Sequence, residues 1–320
     1  MGGAQPNSHQ PLSPSTPPSG YHVRDGTRET GGHRMTLTEQ ELAEKAKNIR
    51  LFAFDLDGTL MRDDKSVSER TQNAIRELLA RGIEAVPTTG RAWQGLPMPE
   101  IGMDDFHYLV AACGAIVRDL RTGEFFCRKT IDAMTAADLL RTLMKPGISA
   151  YVCIDDEPGT RYGCAVNREE FDRVAATFTP RNGYDGAEDI ADRVERLGVG
   201  VLKVGINFID PWREEDFLSL PANSGLTVNP AAVNNIEWDA FGVSKACGLE
   251  ELAHHLGFGL EQVCTIGDSG NDVEMLEAAG LGIAMGNASD VARAAADFTL
   301  DLTNEQDGLA DFVERFLLGK

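Results

Sequence analysis

The stretch RLFAFDLDGTL at residues 50–60 places two acidic side chains directly after a short apolar run. Such a run is typical of a buried strand, and Asp55 and Asp57 follow at its carboxyl end. Ligands of open α/β sheets bind beyond the carboxyl ends of the strands. One carboxylate could therefore act as a nucleophile and the other as an acid or base, and both could share a cation. For an isolated pair of this kind, an Asx-turn at a strand end is the alternative interpretation.

Strands and helices alternate after this stretch. Apolar residues at the helical period predict a helix that begins near Ser66 and Glu69 and ends at Gly82. Strand candidates follow at 83–87 and 108–112, and the alternation resumes late in the chain. This pattern predicts an α/β fold with a doubly wound, Rossmann-like parallel sheet that is covered by helices on both faces.

The middle of the chain is less regular and predicts an inserted α+β cap domain, because strand-like and helix-like runs mix there without a fixed order. Residues 1 to about 34 are rich in Pro, Ser, Gly, Thr and His, and we expect them to form a disordered tail. A short helix with a capping box of Thr38 and Glu41 is expected next. The predicted organisation is a tail and short helix at 1–48, a core domain at 49–117 and 230–320, and a cap domain at 118–229.

Two further motifs carry groups that suit an anion. Thr89 and the N–H of Gly90 follow the second strand candidate, and a hydroxyl with backbone donors at a helix start can bind negative charge. By itself, a Thr-Gly pair at a strand end is typical of an ordinary turn. Lys245 begins a later helix, where a cation opposes the helix dipole, so an anion beside it is expected. Alone, such a lysine is typical of a solvated surface charge.

The sequence GDSGND at 267–272 leads from an apolar run into a helix. Asp268 would lie at the carboxyl end of that strand, beside Asp55 and Asp57 if the two strands are neighbours. The letters GDSG also resemble the nucleophile turn of chymotrypsin-like serine proteases. That interpretation needs a Gly at Asn271, a β-rich chain and a placed His base, and a helical pattern follows here instead.

The composition limits the partners. The 320 residues carry 50 acidic and 30 basic side chains, a net charge of −20, which disfavours nucleic acid and anionic membrane surfaces. The six cysteines include no C-x-x-C pair and predict free thiols in a reducing compartment. No apolar run has membrane-spanning length, and no signal peptide is evident. We expect a soluble cytoplasmic protein, either a monomer or a homodimer.

The four motifs in this order resemble the haloacid dehalogenase-like (HAD) superfamily, and their spacing resembles its Cof-type branch, which carries a class IIB α+β cap. The resemblance runs from about Arg50 to the C-terminus and implies a phosphatase for small phosphorylated metabolites. It implies that Asp55 attacks phosphorus to form an aspartyl-phosphate, and that Asp57 serves as acid and then as base. The backbone carbonyl of Asp57, with Asp55 and Asp268, would hold Mg²⁺.

The same resemblance implies roles for the remaining motif residues. Thr89 and the Gly90 N–H would bind the phosphoryl oxygens, and Lys245 would neutralise their charge. Asn271 would contact the phosphate. Asp272 would orient Lys245 or a metal-bound water without itself binding the metal or the phosphate.

One position departs from the Cof-type pattern, which has Asn-Gly-Ala where this chain has Cys113-Gly114-Ala115. The usual Asn side chain near the cap hinge is therefore replaced. Trp93 could stack on a substrate ring, or pack at the hinge. Four basic residues of the predicted cap are candidates for binding a second anionic group of the substrate: Arg161, Arg168, Arg181 and Lys203. Taken singly, each of them is typical of a solvated surface charge.

Two alternatives stay open at this point. Within the superfamily, a phosphomutase or a sucrose-phosphatase-like sugar-phosphate phosphatase would carry similar motifs, and the GDSGND wording resembles that group as well. More distantly, a non-catalytic phospho-accepting signalling domain also combines an acidic Mg²⁺ pocket with a Thr and a Lys on a parallel sheet. Such domains accept phosphate after their third strand, whereas the acidic pair here follows the first.

Overall fold

Strands and helices follow one another as the apolar runs predict. The computed structural model describes residues 37–93, 96, 105–155, 161–164, 173–174 and 190–320, all within the compact unit Arg34–Lys320. The elements of these residues are, in chain order, α1 (Glu39–Ala46), β1 (Leu51–Phe54), α2 (Glu69–Ala80), β2 (Glu84–Pro87), β3 (Tyr108–Ala111), β4 (Ile116–Asp119), β5 (Phe125–Arg128), α3 (Ala133–Leu143), β6 (Ile148–Ile154), β7 (Arg161–Cys164), α4 (Ile190–Leu197), β8 (Val201–Phe208), α5 (Glu215–Leu218), β9 (Leu226–Ala232), β10 (Asn235–Ala240), α6 (Lys245–His255), β11 (Val263–Gly267), α7 (Val273–Ala278), β12 (Leu281–Ala284), α8 (Asp290–Ala295), β13 (Phe298–Thr299) and α9 (Gly308–Phe312).

Several predictions fall outside these residues. The tail predicted at 1–34 lies there, as do Arg168 and Arg181. Arg161 lies on β7, where only the backbone is described. Among the described residues, no helix is long and apolar enough to cross a membrane.

Polar side chains cap the N-termini of α1 and α2. Thr38 and Glu41 form the expected capping box at the start of α1. The N-cap of α2 is Ser68, whose side chain accepts from the Thr71 N–H. The predicted start near Ser66 is therefore two positions early, because the Ser66 hydroxyl instead hydrogen-bonds the Asp64 carboxylate in the preceding turn.

Five parallel strands form the core sheet in the order β13-β12-β11-β1-β2. β1 lies between β11 and β2 and is buried along its whole length. Phe52 and Phe54 pack into the apolar cluster on one face, while Leu51 and Ala53 pack into the cluster on the other. Burial on both faces explains the uninterrupted apolar run and confirms the doubly wound α/β prediction.

The second sheet is antiparallel and has the order β7-β6-β8-β10-β9. Its apolar face packs against α3 and α4, as a cap of α+β type requires. We expected residues 230–240 in the core domain. The structure differs, because β10 pairs with β8 in this sheet and β9 pairs with β10, so the sheet continues to Ala240.

A third sheet, β3-β4-β5, stands beside the core sheet. A single parallel bridge between Thr88 and Val110 connects β3 to the end of β2. The chain passes from β3 through Cys113 and Gly114, both with positive φ, into β4. This turn brings the third strand end to the same edge as the other motifs.

Candidate active site

The carboxyl ends of three neighbouring parallel strands bring the motifs together. Phe54 pairs with Ile266 on one side and with Pro87 on the other. Asp55, Thr89 and Asp268 therefore follow their strands at one edge of the sheet. This is the position that the alternating pattern predicts for a ligand site.

Lys245 connects two of the acidic residues. Its Nζ lies 2.6 Å from Asp55 Oδ1 and 2.6 Å from Asp272 Oδ1, and the lysine is 1% exposed. Burial alone would lower the pKa of Lys245, but Asp272 and Asp55 outweigh this effect and raise it. The lysine is therefore a permanent buried cation at the start of α6, compensated by carboxylates.

Asp272 is held by the main chain as well as by Lys245. Its Oδ2 accepts from the N–H groups of Asp268 and Ser269, both at 2.9 Å. Because both of its oxygens are engaged, Asp272 sets the shape of the GDSGND turn and the place of Lys245.

Asp55, Asp268 and Asp272 place one carboxylate oxygen each within 4.8 Å of one another. Burial raises the pKa of Asp55 to about 7 even though Lys245 opposes the shift. Burial, followed by the charge of Asp272, raises the pKa of Asp268 to about 6. The three carboxylates, of which those of Asp55 and Asp272 are buried and that of Asp268 is half-buried, thus outnumber the single cation Lys245. A hard oxygen donor set with excess negative charge fits Mg²⁺.

Gly58 allows Asp268 to approach the first motif. Its φ is +79°, and a Cβ placed there would lie 2.6 Å from Asp268 Oδ2. The neighbouring Thr59 hydroxyl donates to Asp268 Oδ1 at 2.9 Å. The Gly-Thr that follows the acidic pair in sequence therefore positions the fourth motif in space.

Asp57 is fixed by a residue that we did not place in the site from sequence. Arg91 donates from Nε and Nη2 to the two Asp57 oxygens at 2.7 and 2.6 Å, a bidentate pair. Lys65 Nζ lies 3.0 Å from Asp57 Oδ1. The sequence feature that could have indicated Arg91 as a site residue is its position directly after Thr89-Gly90 at a strand end.

The predicted anion-binding groups lie together. Thr89 is buried, and its Oγ1 accepts from the Arg91 N–H at 3.1 Å. A Cβ placed on Gly90 would lie 3.4 Å from Asn271 Nδ2. The Ser269 hydroxyl donates to Asn271 Oδ1 at 2.9 Å, which leaves the amide NH₂ on the Gly90 side.

Cys113 occupies the position where the Cof-type pattern has Asn. Its φ of 54° is left-handed, a conformation that Asn adopts more readily than Cys. The Cys113 N–H donates to the Thr89 carbonyl at 3.0 Å. Burial raises the pKa of the Cys113 thiol to about 12, so the thiol stays protonated at neutral pH.

Trp93 packs near this turn. Its ring meets Phe125 edge-on, with centroids 5.7 Å apart, and Arg118 stacks at 4.4 Å from its centroid. These contacts agree with the packing interpretation of Trp93. The protease interpretation is wrong, because the Ser269 hydroxyl serves the turn, while His107 pairs with Glu84.

Comparison with known proteins identifies the family. Residues 52–313 match the family described as haloacid dehalogenase-like hydrolase. The chain belongs to this family. It is an enzyme, a phosphatase-type hydrolase, and the predicted superfamily is confirmed.

Similar proteins match over most of their length. The chain is 29% identical over 272 residues to the 5-amino-6-(5-phospho-D-ribitylamino)uracil phosphatase YcsE of Bacillus subtilis, covering 85% of this chain and 97% of the relative. It is 29% identical to the Bacillus subtilis phosphatase YwpJ, covering 84% of this chain and 100% of the relative. A haloacid dehalogenase-like hydrolase structure from Bacillus subtilis has a TM-score of 0.66 at 27% identity, covering 84% and 100% of the two chains. A HAD subclass IIB sugar phosphatase shares the fold, with a TM-score of 0.70 at 22% identity, covering 83% and 98%.

Proposed function

We propose that the protein is a Mg²⁺-dependent phosphatase that hydrolyses small-molecule phosphate monoesters, sugar phosphates or cofactor phosphates, through an aspartyl-phosphate on Asp55. The observation that carries this proposal is the Asp55 carboxylate at the strand edge, paired through Oδ1 with buried Lys245 at 2.6 Å and neighboured by Asp268. A nucleophile needs a fixed orientation, and this pairing supplies it.

The proposed reaction has two steps. Asp55 Oδ2 attacks phosphorus, the bond from phosphorus to the leaving oxygen breaks, and Asp57 donates a proton to that oxygen. Water then attacks the phosphorus of the aspartyl-phosphate while Asp57 takes its proton, which releases phosphate and restores Asp55. Through its two hydrogen bonds, Arg91 holds the ionised Asp57 carboxylate, the form that takes the proton of water in the second step. To act as the acid of the first step, Asp57 takes up a proton on one of these oxygens, and the Arg91 hydrogen bond to that oxygen opens.

Binding of the phosphoryl group is assigned to the groups around Gly90. The Thr89 hydroxyl, the Gly90 N–H and the Asn271 amide would donate to its oxygens. Lys245 would offset its charge. Catalysis of phosphoryl transfer depends mainly on such positioning and electrostatic stabilisation.

The Mg²⁺ would be held by the carboxylates of Asp55 and Asp268 and by the backbone carbonyl of Asp57. When bound, the ion would offset the negative charge of the carboxylates and of the transferring group. Asp272 has both oxygens engaged by Lys245 and backbone N–H groups, which favours an orienting role over direct ligation.

The relatives suggest where a substrate search begins. Two of the Bacillus subtilis relatives and one from Escherichia coli are named 5-amino-6-(5-phospho-D-ribitylamino)uracil phosphatases. We therefore place the phosphate ester in that name first in a panel with sugar phosphates, nucleotides and cofactor phosphates.

The test is release of inorganic phosphate by the purified full chain with Mg²⁺. Asp55→Asn should abolish turnover with unchanged circular dichroism, and a chelator should abolish it reversibly. Asp301→Asn, at an exposed carboxylate, is the matched control and should retain full activity. Turnover by Asp55→Asn would contradict the mechanism. Transfer of phosphate between positions of one sugar, dependent on a bisphosphate primer and with little release, would instead indicate a phosphomutase.

A further inference from the structure

The cap contributes a buried cation to the edge of the candidate active site. Lys203 lies on β8, and its side chain is 4% exposed. Its Nζ lies 3.4 Å from Cys113 Sγ and 4.0 Å from the point where a Cβ on Gly90 would stand. The Asn271 amide nitrogen lies 3.4 Å from the same point. Groups from the cap and from the core therefore converge beside the proposed phosphate site.

Neighbouring strands of the cap hold Lys203 in place. Lys203 forms an ion pair with Glu237 on β10. Glu237 also accepts from the Tyr151 hydroxyl at 2.7 Å. Tyr151 crosses the sheet over Gly205, where a Cβ would lie 2.1 Å from the tyrosine Cζ. The absence of a side chain at Gly205 thus permits this network.

Asp239 supplies an acceptor on the same face of the sheet. Trp238 pairs with Val204, which sets Asp239 beside Lys203 in the antiparallel register. Asp239 is fully buried, and within the described part of the chain its Oδ1 has no hydrogen-bond partner. Its other oxygen accepts from Asn229 Nδ2 at 3.3 Å. A buried carboxylate oxygen without a donor is costly, and a ligand hydroxyl would remove that cost.

We propose that Lys203 and Asp239 form the leaving-group subsite, in which Lys203 donates to an oxygen near the phosphate and Asp239 Oδ1 accepts from a hydroxyl of the leaving group. The subsite rests on the proposed phosphatase function. It fits a phosphate ester of a polyhydroxylated chain, because such a chain offers both an acceptor and a donor within a short span. An alkyl phosphate offers no hydroxyl to Asp239.

The test compares two esters with the same carbon chain, sorbitol phosphate and hexyl phosphate. The wild-type chain should prefer the hydroxylated ester. In Asp239→Asn the amide oxygen should keep the hydrogen bond from Asn229, which puts an NH₂ donor in place of the Oδ1 acceptor. Asp239→Asn and Lys203→Met should therefore each lower kcat/KM for sorbitol phosphate about 10- to 100-fold. For hexyl phosphate, Asp239→Asn should change kcat/KM less than about 3-fold. Lys145→Met, at an exposed lysine of the cap, is the matched control and should alter neither ester.

The outcomes separate the subsite from the function. The subsite proposal would be overturned if the variants lost equal activity on both esters, or if the wild-type chain showed no preference for the hydroxylated ester. Hydrolysis of either ester would still support the phosphatase proposal. No hydrolysis of any ester would overturn both proposals. If Lys203→Met does not fold, as judged by its unfolding midpoint, Asp239→Asn and Lys203→Arg carry the test, with Lys203→Arg expected to retain more sorbitol phosphate activity than Asp239→Asn.

Discussion

Two buried lysines, one in the core and one in the cap, lie in different surroundings. Lys245 faces Asp55 and Asp272, each at 2.6 Å, and Asp272 is itself held by two backbone N–H groups. Lys203 pairs with Glu237, which also accepts from the Tyr151 hydroxyl. The core cluster is anchored by main chain, whereas the cap cluster is anchored by side chains.

This difference is consistent with the proposed division of roles, in which the core residues carry out the chemistry and the cap residues select the substrate. Groups that must keep one geometry during bond breaking benefit from main-chain anchors, because the backbone at strand ends has little freedom. A network of side chains can change with single substitutions and leave the sheet intact. We therefore expect core substitutions to abolish turnover and cap substitutions to alter preference.

The largest effect is expected at the core anchor. Asp272→Ala leaves Lys245 with a single partner and two backbone N–H groups without their acceptor, so the free energy of unfolding should fall by about 3–5 kcal/mol. Phosphate release should fall at least about 100-fold. Urea unfolding and a phosphate assay measure both. Glu274→Ala, at an exposed acid on α7, is the control that should change neither. A wild-type-like Asp272→Ala would refute the main-chain anchor.

The next effect compares two glycines. A Cβ on Gly114, where φ is +97°, would lie 2.0 Å from the Ser244 carbonyl oxygen, while a Cβ on Gly205 would meet the Tyr151 side chain. Backbone cannot move aside as a ring can, so Gly114→Ala should destabilise by about 2–4 kcal/mol and Gly205→Ala by about 1–2 kcal/mol. Thermal and urea unfolding of both variants give the order. The reverse order would show that the cap is the more rigid region.

The smallest effect concerns Asp239 and pH. Burial raises the pKa of Asp239 to about 6 against the opposing charge of Lys203. A carboxyl with a raised folded-state pKa contributes stability below about pH 4 that is lost as the pH rises through 6. Asp239→Asn removes this pH dependence. Between pH 4 and pH 7.5 the free energy of unfolding of the wild type should therefore fall by about 2 kcal/mol relative to that of the variant.

Urea unfolding at the two pH values measures the difference between wild type and Asp239→Asn. Asp301→Asn, at an exposed carboxylate, should track the wild type. Parallel pH curves for all three proteins would show that the Asp239 carboxylate is already compensated in the cap. If Asp239→Asn is more stable than the wild type at pH 7.5 and has lost the preference for hydroxylated esters, the result would support the place of Asp239 in the leaving-group subsite.

Much of the core was predictable because its signals are local. An apolar run followed by Asp55 and Asp57 marks a strand end, and strand ends of a parallel sheet share one edge. Thr89 and Asp268 follow their own strands in the same way, so their meeting follows from the alternation of strands and helices. The capping box of Thr38 and Glu41 is equally local.

The end of the cap was not predictable from such signals. β10 joins the antiparallel sheet through pairs such as Trp238 with Val204, which are distant in sequence. Neither the apolar pattern of 230–240 nor its charge indicates which sheet it joins. The same holds for Arg91, since a basic residue after Thr-Gly has many possible partners and only the packed chain brings it to Asp57.

The sequence by itself determined the chemical groups and the edge of the sheet where they meet, because residue type and strand periodicity are local properties. Only the tertiary structure decided that Lys203, one of four basic cap residues with equal standing in the sequence, lies beside Gly90 and Cys113. That choice depends on how β8 pairs with β10 and how the cap sheet meets the core. Both are sums of many long-range contacts that no short stretch of the chain records.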